Sequence, residues 1–317
     1  MGRIIVVTGA NSGIGKKAAH RLAGEGHTVV MACRSVERAE EARRAIVEET
    51  GNEQVDVMEL DTSSVDSIRS FAGRFRERYP RLDTLIHNAA YFNHGEAYRL
   101  GPDGTEITFA TNVVGPYLLT RLLLESLKAS ADPRVLNAGS NIIKHFFDPK
   151  MQLDFGTLRG LPVGVEEPSV YRRYCRSKMA LLMLTFALAR ELESDGIAVN
   201  YLHINGARMS KQTIAKFSLK FRVIARVQNL FLRSVAYMAN NYVELAAGER
   251  FRGVTGVCFN DRLEAMAPGN SETARGLDQL RFGLGRGHYP WRADDRGLQE
   301  RVRSICEELS AGAPTAA

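Results

Sequence analysis

A doubly wound α/β fold built on a parallel sheet is predicted for this 317-residue chain, on three observations. Strand-like and helix-like segments alternate through roughly the first two-thirds of it. The strand-like segments are apolar along their whole length rather than at alternate residues, which marks strands buried on both faces. Glycines cluster directly after the first of them, ahead of an amphipathic helical stretch. Parallel strands joined through helices need right-handed crossovers, so helices are expected on both faces of one sheet.

The elements follow in order. Residues 3–8 are a β-branched run, followed by glycines and a helical stretch to about Ala23. Thr28–Cys33 is the second apolar run, ahead of the charge-rich helical segment 37–49. Residues 55–60, Thr84–His87, 135–138 and 197–203 continue the series, with helical-period segments between them. Three regions break the alternation. Segment 142–169 carries Pro149, Gly156, Gly160, Pro162, Gly164 and Pro168 and reads as a long substrate loop. Segment 210–233 is basic and apolar where a compact fold needs only a short link. Segment 268–292 is rich in Gly, Arg and polar residues before a last helix at about 298–309. No repeat or linker divides the chain. One domain is expected over 1–317, with a core of about 3–260, a lid at 210–233 and a C-terminal extension over 263–317.

Composition excludes several classes. The chain is 44% hydrophobic and 25% charged without a low-complexity tract, which is ordinary for a globular protein. Met1-Gly2-Arg3 runs into Ile4-Ile5-Val6-Val7, an apolar stretch too short for a signal peptide, and Val6 stands where myristoylation wants Ser or Thr. The apolar run 179–189 is well short of the ~20 residues that span a bilayer, so a soluble, cytoplasmic protein is expected. Cys33, Cys175, Cys258 and Cys306 are widely separated, and the seven histidines show no close i, i+4 pairing, so neither disulfides nor a metal is expected. A net charge of +6 is too modest to suggest nucleic acid as a partner.

The glycine cluster reads Thr8-Gly9-Ala10-Asn11-Ser12-Gly13-Ile14-Gly15. A tight strand-to-helix turn of this kind lets a pyrophosphate approach backbone N–H groups at the helix N-terminus. A plain glycine-rich turn is the competing reading. The second strand ends in Cys33-Arg34-Ser35. An acidic residue there would bind a ribose 2′-hydroxyl and repel a 2′-phosphate, whereas Arg34 forks onto a phosphate. NADP(H) is therefore the expected cofactor, with NAD(H) the alternative. Further along, Tyr174-Cys175-Arg176-Ser177-Lys178 sets a phenol and an ammonium on one helix face. A free tyrosine, with a pKa of ~10, exchanges protons poorly at neutral pH, and a nearby lysine cation lowers that value. Tyr174 alone among the ten tyrosines has a lysine four residues on.

Taken together, these motifs resemble the short-chain dehydrogenase/reductase family, whose glycine pattern is TGxxxGxG. The resemblance implies a Rossmann-type fold and assigns further residues. Asp61, at the end of the third strand, matches the adenine contact. His87-Asn88-Ala89-Ala90 is similar to the family's NNAG, with Asn88 retained and Ala90 in place of glycine. Asn112 and Ser140 match the catalytic asparagine and serine. The implied roles are proton donor or base for Tyr174 and ribose anchor and tuner of Tyr174 for Lys178. Ser140 would orient the carbonyl, and Asn112 would hold a water that relays protons through Lys178. One stretch departs from the pattern: Ile204 and Asn205 stand where Pro-Gly is usual, and Met209 replaces a threonine, with Gly206 or Ser210 as candidates to compensate.

Ala32-Cys33-Arg34, Leu122-Leu123-Leu124-Glu125-Ser126-Leu127-Lys128 and the long gap between Ser140 and Tyr174 resemble retinol dehydrogenases. Asn88-Ala89-Ala90-Tyr91 and Leu158-Arg159-Gly160-Leu161 resemble protochlorophyllide reductases. The resemblance covers about 3–260 and implies a bulky hydrophobic carbonyl or alcohol substrate, or reduction of a carbon–carbon double bond. A dinucleotide-binding sensor or scaffold without turnover is the alternative from another class. Between Asp195 and Glu244 there is no acidic residue, while Lys211, Lys216, Lys220, Arg222, Arg226 and Arg233 accumulate. Segment 211–233 is thus expected as a lid whose basic side suits a carrier protein or a membrane surface. A core-packed helix with a solvated basic face is the plainer reading. The family pairs through the helices flanking the serine strand, which implies a homodimer.

Overall fold

The computed structural model describes residues 2–92, 96–161, 166–205, 222, 232–269, 282 and 285–311. Seven strands form one parallel sheet in the order β3-β2-β1-β4-β5-β6-β7. They are β1 (Ile4–Thr8), β2 (Thr28–Cys33), β3 (Val55–Glu59), β4 (Thr84–His87), β5 (Arg134–Ala138), β6 (Ala198–Leu202) and β7 (Cys258–Phe259). Strand β1 is buried at every residue, as its unbroken apolar sequence requires. The two-residue β7 carries too little sequence to announce itself, and its pairing with β6 comes from tertiary packing.

Helices cover both faces. On one side lie α1 (Gly13–Gly24), α2 (Val36–Thr50) and a later helix, Val235–Ala247, whose buried Met238, Ala239 and Tyr242 share a core with Ile5, Val7 and Val29. On the other lie α3 (Val65–Arg78) and a helical run assembled from α4 (Ile107–Phe109), a π-turn (Ala110–Val114), α5 (Gly115–Leu122) and α6 (Leu124–Lys128), followed by α7 (Val170–Glu191). Numbered in sequence, Val235–Ala247 is α8 and the last helix, Arg296–Ser310, is α9. Seven parallel strands between two helix layers make a single domain of the expected class. No helix among the described residues is long and apolar enough to cross a membrane.

Two expectations meet a different outcome. Segment 142–169, read as loop, opens as a 3-10 helix, Asn141–Phe147: the Ser140 hydroxyl caps it by accepting from the Ile142 amide, 3.4 Å, and Ile142, Ile143 and Phe146 are buried. Scattered prolines downstream masked that local cap. Helix α9, started by Asp295 accepting from the Leu298 amide at 3.0 Å, buries Val302, Cys306 and Leu309 against the layer containing α5 and α7. Beyond residue 263, Ala267–Pro268 pairs in parallel with His288–Tyr289 as a second, two-stranded sheet. The expected lid, 210–233, lies outside the described residues apart from Arg222, Leu232 and Arg233.

Gly139 links β5 to the loop that carries Ser140, and its missing side chain is filled by Tyr201 of β6. A Cβ there would sit 2.0 Å from Tyr201 Cε1, and that ring is fully buried. Gly139→Ala should therefore destabilise the fold by about 1–3 kcal/mol through overpacking. An unchanged melting temperature would show that the Tyr201 ring can yield.

Candidate active site

The chain leaves β1 toward β2 on one side and leaves β4 toward β5 on the other, which opens a crevice at the carboxyl ends of the two strands. Thr8 and Asn88 tie its floor together. Thr8 Oγ1 accepts from the Asn88 and Ala89 amides at 3.0 and 2.9 Å, and Asn88 Nδ2 donates to the Thr8 and Gly9 carbonyls at 2.8 and 3.2 Å. Asn88 Oδ1 in turn accepts from the Tyr242 hydroxyl, 3.1 Å. A Cβ on Gly15 would lie 2.4 Å from Asn88 Nδ2, so this glycine is required by the asparagine packed on it. Gly9 and Gly13 adopt φ of +65° and +58°, values that glycine reaches without strain. The Ser12 side chain does not cap α1, which leaves first-turn N–H groups uncapped by that side chain beside the crevice.

A cavity of about 330 Å³ occupies this crevice. Gly9, Asn11, Ser12, Arg34, Ser35 and Asp61 line it, as do Asn88 and Ala89. Gly13, Ile14 and Gly15 are absent from its walls; they shape the turn, and Ile14 packs against the core beneath. Arg38 and Thr62 also line the wall, and neither was singled out from the sequence. Arg38 follows Arg34 by four residues in the first turn of α2, a spacing that could have revealed it. Asp61 is turned back on its own loop, accepting from the Ser63 amide and hydroxyl at 2.9 and 2.7 Å. Cys33 is buried behind the neighbouring wall, and burial pushes its thiol up to about 11, with the Ala10 and Asn11 backbone opposing it.

At the other end of the crevice, α7 presents Tyr174 and Lys178 toward the end of β5. Lys178 Nζ donates to the Ala138 carbonyl at 2.8 Å and lies 5.8 Å from the centre of the Tyr174 ring. The Ser140 hydroxyl lies close enough to the Tyr174 phenol to favour its ionised form. Tyr201 holds both sides of this junction: its oxygen accepts from the Ser140 amide, 3.2 Å, and its hydroxyl donates to the Lys178 carbonyl, 3.3 Å. Tyr174, Ser140 and Lys178 are thus brought together. The acid–base balance differs from the one expected. Burial pushes the Tyr174 phenol up to about 12, with the Ser140 hydroxyl opposing it, and burial pushes Lys178 down to about 7. In this arrangement the lysine is bonded to a neutral carbonyl, so desolvation dominates both groups.

Asn112 sits in the π-turn, where one extra residue turns its side chain out of the regular helical ladder. Its Oδ1 accepts from the Tyr91 amide at 2.7 Å, and its Nδ2 donates to the Tyr91 carbonyl and to Ser177 Oγ at 3.2 and 3.0 Å. It therefore fixes the loop after β4 to α7, through Tyr91 on one side and Ser177 on the other. That loop carries Phe92, whose ring stacks on Tyr174 at 4.4 Å between centroids while remaining exposed. Asn205, in the stretch that departs from the family pattern, donates to Asp261 Oδ1 at 2.9 Å, and the Ile204 carbonyl accepts from the Asn141 amide, 2.9 Å. Gly206, Met209 and Ser210 lie outside the described residues. Among the described residues no group of three His, Cys, Asp or Glu side chains could hold a metal ion, and all four cysteines are buried free thiols.

The model of the short chain dehydrogenase family matches residues 3–147. Retinol dehydrogenase 13 of Homo sapiens is 35% identical over 285 residues, covering 87% of this chain and 82% of that protein. Retinol dehydrogenase 12 of Mus musculus is 36% identical, over 82% of this chain and 78% of the relative. A solved short chain dehydrogenase from Escherichia coli CFT073, complexed with NADPH, matches with a TM-score of 0.61 at 26% identity, covering 82% of this chain and 96% of that one.

Two buried histidines near the site set an acid limit on the fold. Burial, with a nearby lysine adding to it, pushes His87 and His203 down to about 3. An unfolded chain binds protons at these rings near the ordinary 6.5, so stability falls as pH drops from about 6.5 toward 3. Urea midpoints should decline across that window, and His203→Leu should make the decline shallower. A profile flat between pH 6.5 and 4 in the parent protein would contradict the neutral burial of these rings.

Proposed function

This chain belongs to the short-chain dehydrogenase/reductase family of enzymes, and from that premise we propose that it is an NADPH-preferring oxidoreductase acting on a bulky hydrophobic carbonyl or the matching alcohol. The observation that carries the proposal is the meeting of Tyr174, Ser140 and Lys178 at one end of a crevice whose other end holds Arg34.

The residues present fit a dinucleotide. The glycine turn offers backbone N–H groups at the start of α1, where a pyrophosphate is favoured. Arg34 and Arg38 stand on the same wall, and no carboxylate ends β2, so that wall suits a 2′-phosphate better than a bare ribose. A nicotinamide cofactor, when bound, supplies or accepts the hydride. The remaining work falls to the chain. Tyr174 delivers a proton to the carbonyl oxygen in reduction and removes it in oxidation. Ser140, beside that phenol, holds the carbonyl in line with it. Lys178 anchors the cofactor ribose and stabilises the phenolate at the moment it forms, although burial keeps the phenol protonated before ligands enter. Asn112 keeps the Tyr91–Phe92 loop against α7 and is the candidate anchor for the relaying water.

A hydrophobic substrate is supported by the exposed rings of Phe92, which lies against Tyr174, and of Tyr171, one turn earlier on α7, and by relatives whose names specify retinol. An apolar molecule seated there would cover surface that water otherwise meets.

Tyr174→Phe should lower kcat by about 10²- to 10⁴-fold with NADPH and a panel of aldehydes including all-trans-retinal, while NADPH still binds. Equal rates for variant and parent would sink the proton-donor assignment. Arg34→Asp should weaken NADPH about tenfold or more and spare NADH, because it sets a carboxylate against the phosphate. Unaltered discrimination between the two in fluorescence titration would overturn the assignment of that wall.

A further inference from the structure

Beneath Lys178 lies a buried polar layer that the mechanism above does not use. His87 ends β4 and is paired in register with Asn137 of β5, and both side chains are 2% exposed. The ring nitrogen His87 Nε2 is 2.9 Å from Thr120 Oγ1. Thr120 has one hydroxyl hydrogen, and it goes to the Pro116 carbonyl at 2.8 Å. Thr120 must therefore accept from the ring, which places the imidazole hydrogen on Nε2 and a lone pair on Nδ1. The same reasoning applies next door. Asn137 Nδ2 donates to Thr185 Oγ1 at 2.9 Å, and the Thr185 hydrogen is committed to the Leu181 carbonyl at 2.7 Å. Asn137 Oδ1 is thus an acceptor as well. Neither His87 Nδ1 nor Asn137 Oδ1 has a hydrogen-bond partner among the described residues.

Two buried acceptors side by side call for a donor, because an unmatched buried polar atom is expensive. Lys178 is the cation whose charge acts on the His87 ring, and its ammonium has three hydrogens, one of them spent on Ala138. Thr120, which bonds the ring from α5, and Asn137, beside it on β5, do not titrate, nor does Thr185 on α7, which bonds Asn137.

We propose that His87 is a positioning residue for Lys178: with Asn137 it holds one internal water, which accepts from the ammonium and donates to His87 Nδ1 and Asn137 Oδ1. Three hydrogen bonds are the usual complement of a buried water. The arrangement gives the ammonium a second anchor on the side away from the substrate. It keeps the cation charged and pointed at the phenol and ribose despite its burial. The water's role in turnover rests on the oxidoreductase reading above; the hydrogen-bond pattern itself does not.

Two measurements on the full chain test this. In ¹⁵N-histidine NMR of the parent protein without substrate, His87 should remain neutral from pH 5 to pH 9 as the Nε2–H tautomer. An Nδ1–H tautomer, or a ring that titrates near its ordinary value, overturns the proposal. In the pH dependence of kcat with NADPH and all-trans-retinal, His87→Leu should move the alkaline limb, where Lys178 loses its proton, about one unit lower. The corresponding loss is about tenfold in kcat at pH 9, with KM for NADPH within about twofold. His87→Asn, which keeps a hydrogen-bonding group, should recover part of the shift. Superimposable profiles for His87→Leu and the parent overturn the positioning role. If no carbonyl probe is turned over, or if Tyr174→Phe is fully active, the oxidoreductase reading fails while the tautomer measurement still decides the hydrogen-bond pattern.

Discussion

Lys178 is an ammonium that the fold takes out of water, and much of the site's architecture answers the free-energy penalty of doing so. At 2% exposure, with its pKa held down to about 7, the side chain sits where a charge is tolerated only with hydrogen-bond partners around it. The Ala138 carbonyl supplies one such partner because β5 ends there and its last carbonyl is free to turn toward α7. Tyr201 fixes the Lys178 backbone and the Ser140 amide at once, so the loop after β5 and the helix that carries the lysine cannot move independently. Gly139 is required in turn because Tyr201 fills the space its side chain would take. One buried cation thus accounts for a glycine, a tyrosine and the course of a loop on two different strands.

The other half of the crevice is organised by a neutral group. Asn88 fills the gap left by Gly15 and bonds Thr8, Gly9 and Tyr242, joining β1, β4 and α8 at the point where the sheet's connections diverge. Because those bonds satisfy the asparagine within the protein, the turn holds its shape before any phosphate reaches it. Catalytic geometry that is set before ligands enter need not be organised at the moment of reaction.

What could be read in the sequence was mostly what is local. The parallel strands announced themselves because burial on both faces demands continuous apolar runs, and the glycine turn because its residue types and spacing leave few alternatives. Tyr174 and Lys178 were legible for the same reason, being one helical turn apart on the same helix. Features that depend on distant pairs were not. Phe92 reaches Tyr174 across more than eighty residues of chain, the Asn112 π-turn is visible only once Tyr91 and Ser177 converge on it, and Ser140's cap was obscured by the prolines that follow. The raised pKa of Tyr174 is of this kind too. Spacing says that a lysine is near, but not that it is bonded to a carbonyl and that burial outweighs it.

The C-terminal extension shows how far that distinction reaches. As a sequence, α9 is an amphipathic helix whose Val302, Cys306 and Leu309 need a partner surface, and nothing local says which. In the fold it lies on α7, the helix that carries Tyr174 and Lys178, and Gln299 Oε1 accepts from Arg190 near that helix's far end. A helix whose buried lysine must stay in place gains from being held along its outer face, since packing on both sides resists the rotation that would swing the ammonium away from β5. Helix α9 therefore belongs to the same mechanical unit as the site, although it packs on the outer face of α7.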